Sequence, residues 1–112
     1  MTGSDLDALR GLTLITLHWD ERAAEVSGMF EGPLRSPYRA AEPDHDHVRL
    51  RLSLTGVTGF EVSGWSHEPV DVTVTPSPCG IEVTFTGPGT SVRCLAAASG
   101  IVGISTFRAG PR

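Results

Sequence analysis

The stretch that decides the fold runs from Val48 to Trp65, VRLRLSLTGVTGFEVSGW. Val48, Leu50, Leu52 and Leu54 take every second position, with Arg49, Arg51 and Ser53 between them. A β-strand turns successive side chains to opposite faces, so this alternation makes one oily face and one wet face. Thr55-Gly56 and Thr58-Gly59 offer bends, and Phe60 to Ser63 resumes the alternation. Two amphipathic strands this close in sequence are most simply paired as an antiparallel hairpin.

The same pattern continues in both directions. Upstream, Leu12 to Trp19 (LTLITLHW) reads as a strand, and a weaker one runs from about Ala24 to Phe30. The two fit a hairpin that turns around Asp20 to Ala23. Downstream, Val70, Val72 and Val74 alternate with Asp71, Thr73 and Thr75, and Ile81, Val83 and Phe85 with Glu82, Thr84 and Thr86. Turns at Pro76 to Gly80 and Gly87 to Gly89 separate these from Val92 to Leu95, and a last strand spans about Ile101 to Arg108. About eight short strands with turn chemistry between them predict one all-β domain over residues 1–112, an antiparallel β-sandwich or partly open barrel.

Three segments stand outside the strands. Within residues 1–11, Ser4 precedes Asp7 with capping spacing, so Asp5 to Arg10 predicts a short N-terminal helix of a turn or two, ended by Gly11. Residues 31–46 (EGPLRSPYRAAEPDHD) hold three prolines and no periodicity, which predicts a long loop and the first place to seek a binding surface. Residues 109–112 form a tail.

Length and composition narrow the function. A chain of 112 residues with 39% hydrophobic and 20% charged residues can bury a single core. Its 9 basic residues are all arginine, against 13 acidic ones, for a net charge of −4. Absent lysine removes Schiff-base chemistry and the phosphate-loop lysine. The acidic balance argues against nucleic-acid binding, which needs cations to neutralise phosphates. No apolar run is long enough for a membrane helix, and MTGSDLDALRG has no apolar signal core, so a cytoplasmic protein is expected. Cys79 and Cys94 form no CxxC pair or zinc set, and idle or buried thiols are expected there.

Candidate chemistry is sparse. Asp44-His45-Asp46-His47 holds four metal-ligating side chains, but neighbours in an extended chain splay apart, so one ion cannot gather all four. His18, Glu68 and His67 are the other donors it would need. No GxSxG elbow, GxGxxG loop or phosphate loop is present, so no catalytic residue, cofactor or resident metal is expected. Cross-strand ion pairing accounts for Arg49, Arg51 and Glu61. Trp19 and Trp65 are candidate anchors for a partner, but a core short of aromatics would readily use both, and Trp65 is expected in it; exposure of Trp65 would reverse that.

The order of these pieces resembles a bacterial immunity-protein family of polymorphic-toxin systems, the one catalogued as immunity protein fifty. The resemblance lies in LTLITLHWDER, then GPLRSPYRAAEP, then HVRLRLSLTGVTGFEVSGW, VDVTVTP, IEVTFTGPGT and SVRCLAAASGIVGISTF, about residues 12–107. Its best-matching segment is Leu50 to Trp65, and one departure is a clipped start: little precedes Leu12, so the N-terminal helical contribution typical of relatives is not expected here. It implies a non-enzymatic protein that neutralises a cognate toxin by binding it. An acidic patch would speed capture of a basic toxin, and Glu42, Asp44, His45, Asp46 and Glu68 are the candidate contact residues. The alternatives are a structural module that forms a homodimer through its strand edges, or a metal- or small-ligand-binding domain using residues 44–47.

Overall fold

A computed structural model describes residues 6–35, 38–78 and 80–109. Eight strands follow in order: β1 (Thr13–Asp20), β2 (Glu25–Pro33), β3 (His47–Thr55), β4 (Gly59–Gly64), β5 (Asp71–Ser77), β6 (Gly80–Gly87), β7 (Thr90–Ala96) and β8 (Ala98–Phe107). They form two antiparallel four-stranded sheets, β1-β2-β3-β8 and β4-β7-β6-β5. The architecture is a β-sandwich. Each sheet is a meander of three consecutive strands completed by one strand from the other half of the chain. The strand after β3 leaves to pair with β7, and the strand after β7 leaves to pair with β3.

That exchange corrects the hairpin expected over 48–65. β3 and β4 lie in different sheets. Alternation aims both apolar faces at one core whether the strands are neighbours or face each other, so the pattern alone does not choose. Ladder length does. β3 makes nine-residue registers with both β2 and β8, whereas β4 is only six residues long. The link crosses instead of turning: Val57 is buried and donates its N–H to the Ala24 carbonyl, and Thr58 donates to Leu95. Gly56, at φ 63°, bends the chain where an added Cβ would lie 2.6 Å from the Ala97 Cβ. The hairpin of β1 and β2 forms as the sequence suggests.

The core lies between the sheets. Val48, Leu50, Leu52 and Leu54 of β3 are all buried, and Phe30 of β2 meets Phe85 of β6 with ring centroids 5.2 Å apart. Cys94 is buried mid-strand as a small apolar residue, and Cys79 lies outside the described residues.

The N-terminal segment is part of that core. A 3-10 turn, Asp7–Leu9, stands where a helix of a turn or two over Asp5 to Arg10 was expected; the capping Ser4 and the first helical residue Asp5 lie outside the described residues. Leu6, Leu9 and Leu12 are fully buried at the sandwich end. Gly11, at φ 82°, ends the turn as its lack of a Cβ allows, and its N–H reaches the Val70 carbonyl at 2.8 Å. The long loop is also shorter than expected. Glu31, Gly32 and Pro33 belong to β2 and pair with Arg49, Val48 and His47, so the loop begins at Leu34.

Candidate functional site

The described residues of the 34–46 loop fold over the C-terminal end of β8 and are tied down there. The Ala41 N–H donates to Thr106 Oγ1 at 2.9 Å, and His45 Nδ1 shares that hydroxyl at 2.7 Å. The Asp46 N–H reaches the Phe107 carbonyl at 3.1 Å, and the Asp46 carbonyl accepts from Leu34 at 2.9 Å. The Asp46 carboxylate meets His47 Nδ1 at 2.8 Å and accepts from the Ala109 N–H at 3.1 Å. His47 first, then the Ala109 amide, hold the Asp46 carboxyl below the usual carboxylate range. Asp44 is paired with Arg108 at 3.8 Å.

The Asp44–His47 run is therefore a clasp between loop and strand. Each of its four side chains is already engaged with a neighbour, and no group of three ligating side chains able to hold a metal ion occurs among the described residues. Next to it, Arg49 bonds Glu31 at 2.7 Å and lies 4.8 Å over the Phe107 ring. Arg49 thus pairs with β2, while Glu61 of β4 pairs with Arg93 of β7 at 3.6 Å. Arg51 has no carboxylate partner among the described residues and lies between two shallow depressions of the outer sheet face, each of about 230–240 Å3.

The five candidate contact residues do not form one patch. Glu42, Asp44, His45 and Asp46 sit together at the β8 edge. Glu68 precedes Pro69, which bridges Thr13 of β1 at the opposite edge of the same sheet. Three strand spacings of about 4.8 Å put those edges roughly 14 Å apart.

A second surface gathers the two tryptophans that the sequence offers as candidate anchors, though nothing in the sequence places them together. Both tryptophans stand on the side of the sandwich where edge strands β1 and β4 face each other. Trp19 stacks on Phe60 of β4 with centroids 5.8 Å apart. Trp65 donates its Nε1–H to the Leu14 carbonyl of β1 at 3.1 Å. Trp65 is not the core residue expected: it is 40% and Trp19 38% exposed, because each closes an open edge instead of facing a sheet. Val62 of β4, 45% exposed, and Ile15 of β1, 36% exposed, lie on the same two strands. Ile15 occupies a slip in the ladder between Leu14 and Thr16, where a bulge adds an extra residue to the edge strand. At about 3.3 Å per residue, the seam from Leu14 to Trp19 extends roughly 16 Å.

Burial pushes the Cys94 thiol up to about 11, so it is protonated and inert at neutral pH. No described helix is long and apolar enough to cross a membrane. No protein-family model, curated protein or solved structure matches the chain.

Proposed function

We propose that this chain is a non-enzymatic binding protein that grips a protein partner along the β1/β4 seam. The observation that carries this reading is the half-exposure of both tryptophans on one side of the sandwich. Tryptophan combines a large apolar area with few rotatable bonds, so it dominates interface energetics at small entropic cost. Here the two rings are already held, Trp19 by Phe60 and Trp65 by the Leu14 carbonyl. A preorganised anchor loses less freedom on association than a mobile one.

The resemblance to immunity proteins supplies the partner class: a bacterial toxin, met in the cytoplasm and neutralised by direct contact. Exposed Glu61 and Glu68 border the seam and favour a basic toxin by electrostatic steering. The direct test is protection. Cells expressing the toxin domain that the tagged protein retains should survive with the wild-type chain and die with a folded Trp19→Ala/Trp65→Ala variant. Full protection by that double variant contradicts seam binding; absence of any retained toxin contradicts the immunity role.

A second reading places the partner on Glu42 and Asp44. The clasp favours it, since a loop pinned at Thr106 and Phe107 presents those carboxylates in one conformation. Charge reversal separates the two. Glu42→Lys/Asp44→Lys weakens affinity and flattens its salt dependence if the loop makes the contact, and leaves both unchanged if the seam does.

A further inference from the structure

Four strand edges border the two sheets, and three carry charges, a proline or a covering side chain that deter pairing with another chain. β1 is overlaid by Trp65 at Leu14, bridged by Pro69 at Thr13, and ends in Asp20. β4 is six residues long and carries Glu61. β5 carries Asp71 and Pro76, and proline has no N–H to offer a ladder. Short edges, charges and prolines are how soluble sheets avoid edge-to-edge association.

β8 differs. Its ten residues, ASGIVGISTF, contain no charge and no proline, and the uncharged run extends from Cys94 to Phe107. The 34–46 loop holds Thr106 and Phe107, but among the described residues the outward backbone groups from Ser99 to Ser105 have no protein partner. Val102 and Ile104, 63% and 57% exposed, are the barest of the large apolar side chains described.

We propose that β8 pairs with β8 of a second copy of this chain, antiparallel about a two-fold axis near Val102. Antiparallel self-pairing sets a residue against its own copy only near the two-fold axis, so a charge there would confront a like charge. The chain's net charge of −4 makes contact between two copies unfavourable over most of its surface. The uncharged β8 edge escapes that penalty. The nearest like charges on the sheet face are the two Arg51 guanidiniums, one strand in from each β8. They would stand three strand spacings apart, roughly 14 Å, beyond the screening length of about 8 Å at physiological salt. A two-fold pair is also closed, giving a dimer instead of an open fibre. The product is one eight-stranded sheet with the two tryptophan seams at its far edges. Both seams stay open to partners, so this inference is independent of seam binding.

Sedimentation velocity over a wide concentration range tests it. The expected result is a shift from 11.9 kDa to twice that mass, abolished by Val102→Lys, which sets two like charges against each other at the axis, and retained by Trp65→Ala. Because a lysine in β8 can unsettle the strand, hydrogen exchange on the wild-type chain supplies a second reading. Amides between Ser99 and Ser105 should gain protection as concentration rises. A chain that stays monomeric throughout overturns the proposal. So does a dimer that survives Val102→Lys, or one that Trp65→Ala abolishes while those amides keep exchanging freely.

Discussion

Asp46 shows how one residue at the loop's end can fix its conformation. Its carboxylate takes a hydrogen bond from the Ala109 amide and sits on His47, so the charged form is favoured in the folded chain. A carboxyl whose folded pKa lies below its unfolded one adds stability at pH above the usual carboxylate range. That contribution is lost as pH falls through the folded value. Between about pH 5 and pH 2 the wild-type urea midpoint should therefore fall more steeply than that of Asp46→Asn. Equal slopes would mean that Asp46 adds nothing to the clasp. Leu9 makes a different point at the same scale. It lies in a segment that reads as a flanking helical turn, yet it is fully buried. Leu9→Ala should cost about 2–5 kcal/mol in urea unfolding, as a buried leucine in a central strand would. A cost near zero would show that residues 6–12 are not part of the core.

At the level of elements, the alternation of Val48 to Leu54 correctly marks β3, and the Val/Thr alternations mark β5 and β6, because a strand's period is a local property. Pairing is not local. Nothing between Thr55 and Gly59 says that β3 will take β8 as its neighbour and send β4 to the opposite sheet. The glycine at that crossing is the sequence's trace of the decision. Gly56→Ala would introduce a Cβ against Ala97 at a positive φ, and should destabilise the fold by about 1–3 kcal/mol, read from its thermal midpoint. An unshifted midpoint would argue that the crossing tolerates an ordinary turn. The site follows the same logic. The 34–46 segment was legible as a loop from its prolines, and its clasp to Thr106 was not, since Thr106 is distant in sequence. The seam was less legible still. Trp19 and Trp65 meet one surface only because β1 and β4 became facing edges of two sheets.

For the molecule as a whole, the two proposed binding surfaces lie at opposite edges of the β1-β2-β3-β8 sheet. The β8 edge is uncharged and suited to a copy of itself, while the β1/β4 seam is aromatic, bordered by carboxylates and suited to a foreign protein. The central claim is that the tryptophan seam holds the partner. It is tested most directly by affinity capture from the protein's own cells with three chains: wild type, Trp19→Ala/Trp65→Ala and Glu42→Lys/Asp44→Lys, each shown to be folded. The account predicts a stoichiometric partner with the wild type and with the loop variant, and its loss with the tryptophan variant. A partner retained undiminished by the tryptophan variant, and lost with the loop variant, would contradict it.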